Sequence, residues 1–222
     1  QYARSQPAVI LHYLRLVVWP HPLCLDYKWP ISSTTDAILP GLLVAAMVIA
    51  SLVALFRWPP VGFVAIAFFL LLAPTSSVLP ITDLAFEHRM YLPSAAVLVL
   101  LTLAFTAIVR WSARQGGWPA AQGHYVWVGL ILAACVGLTF ATVRRNRDYH
   151  SRMAMWNSVL AVRPDNVRAI TSLASEWIDK GHPGKAEKLL MDALERNPTH
   201  PTTNGAMGLL RLRAGRPRAA PL

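Results

Sequence analysis

The sequence predicts an all-α chain in two parts: polytopic membrane helices, then an α-solenoid of soluble helix pairs. Three observations predict it. The chain is 55% hydrophobic with a mean hydropathy of +0.40, above the range of ordinary soluble domains. Its charged residues leave four long uncharged stretches. Its last third carries Pro, Gly and Ala residues that recur at a spacing of 34.

Residues 1–36 precede the first uncharged stretch. Ala8–Pro20 is apolar, with His12 and Arg15 three apart and with Tyr13 and Trp19, aromatic types that favour the membrane–water interface. That pattern predicts an interfacial helix lying along the surface. Trp19–Pro30 holds three prolines after the first Trp and shows no periodicity, so it reads as a loop.

The uncharged stretches run Ala37–Phe56, Trp58–Thr82, Met90–Val109 and Gln115–Val143, with 20, 25, 20 and 29 residues. A helix needs about 20 apolar residues to cross a bilayer. Four transmembrane helices are therefore expected, at 37–56, 61–79, 93–110 and 125–143, within a membrane domain of residues 37–143. Trp58-Pro59-Pro60 forces a tight turn between the first two, because proline cannot continue a helix. Residues 80–93 form a charged loop, and 110–124 form a Gly- and Gln-containing connector.

From Arg144 the character changes. Arg144–Arg152 is a basic juxtamembrane run, and residues 144–222 then read as soluble helices. Pro164 and Pro198 are 34 apart, as are Gly181 and Gly215, Pro183 and Pro217, and Ala186 and Ala220. That period is the signature of tetratricopeptide helix pairs. The stretch resembles the family pattern of one such pair, with Leu173, Ala174, Trp177, Ala186, Leu190, Ala193 and Pro198 at its packing positions. The alanines stand where two helices approach too closely for a larger side chain. Trp156 and Val159 fit the second helix of a preceding half-repeat, and the following repeat is degenerate.

The net charge of +10 is lopsided, at +3 for residues 1–143 and +7 for 144–222. A basic part beside a membrane suits anionic head groups or lipid-linked phosphates. Nothing resembles a nucleic-acid motif, and the spans argue against that partner. Cys24 in the first loop and Cys135 in mid-span are expected to form neither a disulfide nor a metal site.

The chemistry concentrates in Asp83-Leu-Ala-Phe-Glu-His-Arg-Met-Tyr-Leu-Pro-Ser94. Ionisable groups at a bilayer boundary are costly unless they face water or a partner. His88 and Arg89 offer charge-assisted hydrogen bonds to a phosphate, and Tyr91 offers a hydroxyl. Glu87 and Asp83 are the carboxylates that a general base would require. A solvated loop whose charges only anchor the topology is the competing reading.

The order of elements resembles the transmembrane and tetratricopeptide repeat-containing O-mannosyltransferases, of the GT-C class of membrane glycosyltransferases, and their bacterial relatives. Glu87, Tyr91, Pro93 and Ser94 match the family's late loop, with His88 where eukaryotic members tend to have Arg. Tyr13, Arg15, Asp26 and Tyr27 match the preceding one. The resemblance implies transfer of a mannose-like hexose from a polyprenyl-phosphate carrier to a protein hydroxyl, with no cofactor beyond that lipid-linked donor. His88, Arg89, Tyr91 and Arg15 would hold the donor phosphate, and the repeats would hold an acceptor or partner protein. The family's base is an Asp in an early outer loop, so this chain is expected to be the C-terminal part of a longer protein. The resemblance also implies a bacterial inner-membrane protein with extracytoplasmic repeats, whereas the distribution of Arg and Lys favours cytoplasmic ones. The alternatives are a membrane-anchored scaffold for protein–protein interaction, without activity, and an O-antigen ligase or polymerase type of enzyme.

Overall fold

In a computed structural model, the described residues are 2–74, 76, 84–115 and 120–214. They form nine α-helices, one 3-10 turn and no strand. The chain divides into two compact units, residues 1–138 and 139–222.

The first unit opens with α1 (Tyr2–Val18), which starts earlier than its apolar core and buries Ser5, Gln6, Val9, Ile10 and Tyr13 along one face. A loop without helix follows. α2 (Thr34–Arg57) begins at Ser33, whose hydroxyl accepts the Asp36 N–H at 3.1 Å. Asp36 also places a carboxylate in the first turn, where the helix dipole favours it. Trp58 separates α2 from α3 (Pro59–Leu72), whose two prolines occupy the first turn, where a missing N–H costs nothing. Gly62 lets α3 fold back on α2, because any side chain there would run into the backbone of Leu55. α4 (Pro93–Arg114) packs on α3, and α5 (Ala120–Asp148) follows.

Among the described residues, three helices are long and apolar enough to cross a membrane: α2, α4 and α5 from Gln122 onward. The fourth expected span, 61–79, is corrected. α3 has 14 residues, about 21 Å at 1.5 Å per residue, against a hydrocarbon core of about 30 Å. It ends at its cap Ala73, which still has helical dihedrals and donates its N–H to the Phe69 carbonyl at 2.8 Å, before Pro74, which has no N–H to continue the ladder. Residues 75 and 77–79 of the expected span lie outside the described residues. α5 overruns its expected end at Val143. It carries Arg144, Arg145 and Arg147 in the same helix, and the division between the units falls inside it.

The second unit holds α6 (Arg152–Val162), α7 (Val167–Asp179), α8 (Pro183–Arg196) and α9 (Pro201–Ala214). Ser151 caps α6 and Asn166 caps α7, each accepting an N–H three residues on. Gly181 ends α7 at φ 77°, a left-handed conformation that only glycine adopts without strain, and the His182 N–H returns to Trp177 O at 2.9 Å. α8 then packs on α7. Ala174, Ala186, Leu190 and Ala193 are fully buried and Leu173 nearly so. Trp177 is half-buried against this core under the Lys185 ammonium, 4.3 Å from its ring centre, and Pro198 lies exposed past the end of α8. Val159 of α6 is also fully buried. A polar contact lies within the core: the Thr171 and Thr203 hydroxyls are 2.8 Å apart between α7 and α9, and His200 Nδ1 is 2.9 Å from the Thr203 hydroxyl.

Candidate functional site

The Glu-His-Arg stretch folds as the 3-10 turn Glu87–Met90. Such a turn has three residues per revolution, so consecutive side chains leave in three directions. Glu87, His88 and Arg89 therefore do not form one cluster. His88 and Tyr91 face outward, Tyr91 at 88% exposure. Arg89 turns inward and is 9% exposed. Its guanidinium donates to the Leu84 carbonyl at 3.2 Å and to the Tyr2 hydroxyl at 3.4 Å, and lies over the Phe86 ring.

Glu87 reaches the first loop. Its Oε1 accepts the Tyr27 hydroxyl at 2.6 Å and the Cys24 N–H at 2.7 Å, across 60 and 63 residues of chain. Tyr13 of α1 makes a parallel link, accepting the Phe86 N–H at 2.7 Å. The loop is seated on α1 by rings: His12 lies 5.0 Å from Tyr27 and 4.9 Å from Trp29, centre to centre. Asp26 accepts the Lys28 N–H at 3.0 Å and closes a turn in which Lys28 takes φ 42°. Cys24 is buried as a free thiol, and Cys135 is free and exposed on α5.

The first loop and the Glu87 turn are thus hydrogen-bonded to each other. Of the site residues expected from sequence, Glu87 and Arg89 hold the loops together. His88, Tyr91 and Arg15 are exposed, and among the described residues no hydrogen bond or ion pair joins Arg15 to either of the others. Asp83 lies outside the described residues. Sequence reasoning missed the Cys24 N–H and the Tyr2 hydroxyl as partners, since neither belongs to a motif. The described residues bring together no group of three His, Cys, Asp or Glu that could hold a metal ion.

Burial raises the phenols of Tyr13 and Tyr27 above the ordinary tyrosine value, and for Tyr27 the adjacent Glu87 carboxylate raises it further. Both rings are held neutral in the folded chain. Because the folded value is the higher one, this stabilisation is complete below the unfolded tyrosine value, about 10, and is lost as pH rises beyond it. Phenolate absorbance, taken as the difference between parent and Tyr27→Phe, should show Tyr27 still protonated at about pH 11. Ordinary titration of Tyr27 near 10 would contradict its bond to Glu87.

The chain matches no family model, no curated protein and no solved structure.

Proposed function

We propose that this chain is the C-terminal part of a GT-C membrane glycosyltransferase, moving a mannose-like hexose from a polyprenyl-phosphate carrier to a protein hydroxyl. The observation that carries the reading is the pinning of the Glu87 turn to the first loop through Tyr27 and Cys24. The residues that resemble the family's two late loops are far apart in sequence and touch in space. In this reading Glu87 is a positioning residue that fixes the turn. His88 and Tyr91 are the groups that meet the donor phosphate, by charge-assisted and hydroxyl hydrogen bonds. Arg89 lends its positive field from beneath. The helix pairs of residues 152–214, read as tetratricopeptide repeats, hold the acceptor or a partner protein. The protein sits in the bacterial inner membrane with the repeats on the extracytoplasmic side.

The burial of Arg89 favours a second reading, a membrane-anchored scaffold without activity, since the strongest cation of the motif serves the fold. One assay separates the two. Membranes carrying the longer protein of which this chain would be the C-terminal part are given a radiolabelled hexose on polyprenyl phosphate together with an acceptor peptide. Transfer should be seen, and His88→Ala and Tyr91→Ala should each lower it about tenfold or more, the weight of a contact to a charged group. Both residues are exposed, so Cys24 should stay protected from thiol reagents in both variants. Full transfer by the double variant would remove the donor site from this turn. No transfer from any carrier-linked hexose would leave the scaffold.

A further inference from the structure

A second polar site lies toward the other end of α4 and does not depend on the transferase reading. α4 and α5 meet where Phe105 stacks on Trp127, with ring centres 4.1 Å apart and planes at 16°. They approach closely again where Gly123 faces Val109, since any side chain on Gly123 would run into the valine. Between these contacts is a cavity of about 180 Å³, lined by Phe105, Thr106, Arg110, Gly123, His124 and Trp127. The Thr106 hydroxyl already donates to the Leu103 carbonyl at 2.8 Å, so Arg110 and His124 are the polar groups left to meet a ligand.

Charge decides the class of ligand. From His88 to Arg147 the sequence has no Asp or Glu, so α4 and α5 bring no carboxylate near Arg110. Among the described residues no ion pair includes Arg110. Arg110 and His124 are both exposed near helix ends, where cationic side chains reach the membrane–water boundary and the anionic groups there. Depth decides the source. Trp111 and Tyr125, next in sequence to the lining residues Arg110 and His124, are 64% and 75% exposed, and such rings belong to the membrane–water boundary. Size agrees: drug-sized ligands occupy pockets of about 300–1,000 Å³, whereas this one suits a phosphate group whose hydrocarbon stays outside.

We propose that the α4–α5 cavity binds the phosphate of an anionic phospholipid, with Arg110 and His124 as its donors and the Phe105–Trp127 stack as its apolar floor. Basic pockets between membrane helices serve this role elsewhere. The test uses the whole protein in phosphatidylcholine vesicles that contain either brominated phosphatidylglycerol or brominated phosphatidylcholine. Bromine quenches nearby tryptophan, and the Trp127 signal is the difference between the parent and Trp127→Phe. Trp127 should prefer the anionic lipid about tenfold, and Arg110→Gln or His124→Ala should remove most of that preference. Arg114→Gln, one helical turn beyond and outside the cavity, should leave it intact. Equal quenching by the two lipids would overturn the proposal. So would an equal loss on Arg114→Gln, which would show general surface attraction. Displacement by millimolar inorganic phosphate would overturn the lipid source by assigning the site to a soluble anion.

Discussion

Replacing Glu87 with alanine should expose Cys24. In the folded chain Cys24 is 1% exposed, and its N–H and the Tyr27 hydroxyl share one acceptor, Glu87 Oε1. Alanine removes that acceptor and leaves only longer bonds, Cys24 N–H to the Tyr27 hydroxyl and the Tyr27 hydroxyl to the Pro22 carbonyl, each at 3.2 Å. The weakened pairing costs part of the about 1–3 kcal/mol of an unmade buried bond, and it competes with whatever else holds the loop. Part of that cost is avoided if the loop lifts away and both donors bond to water, so local opening is the expected response. Maleimide labelling of Cys24, in a Cys135→Ser background, should therefore accelerate by at least about tenfold. Glu87→Gln keeps an oxygen in the same place and should label far more slowly than the alanine variant. Parent-like labelling of Glu87→Ala would mean that the rings of His12, Tyr27 and Trp29 hold the loop unaided.

The second large effect is expected at Leu190. Its side chain is fully buried in a cluster with Ala174, Ile178, Ala186, Met207 and Leu210, residues drawn from α7, α8 and α9. Leu190→Ala should lower the stability of these helices by about 2–5 kcal/mol, the cost of a lost side chain plus an unfilled cavity. Ala186→Leu should also destabilise, by about 1–3 kcal/mol, because it adds volume where the helices already meet. Amide hydrogen exchange in α7 and α8 of the whole protein reports both. Met191 supplies the contrast: it is next in sequence yet 60% exposed, and its alanine variant should stay within about 0.5 kcal/mol of the parent. Equal effects at residues 190 and 191 would contradict the inward and outward faces of α8.

Much of this was legible because it is periodic or compositional. Uncharged runs located α2, α4 and α5 to within a few residues. The spacing of 34 picked out Ala186, and resemblance to the tetratricopeptide pattern picked out Ala174, Leu190 and Ala193; the fold buries all four. What was not legible has physical reasons too. An apolar run is scored by its residues and not by its breakers, so the effect of Pro74 on α3 was lost in the average. α5 ran on past Val143 because arginines are good helix formers, and a change of solvent does not end a helix. The Glu87–Tyr27 contact joins two aperiodic segments, which no local pattern encodes. The burial of Arg89 contradicts the habit of charged groups, and only a folded backbone shows the Leu84 carbonyl waiting for it.

The hydroxyl pair between Thr171 and Thr203 has a consequence for mechanical behaviour. Two helices joined only by oily side chains can slide past one another by a turn, about 5.4 Å, and find similar neighbours again. A hydrogen bond whose oxygens lie 2.8 Å apart has no second register to slip into. It therefore biases α9 against creep along α7 by about 0.5–1.5 kcal/mol, so mild strain on the stack is met first by curvature and not by displacement.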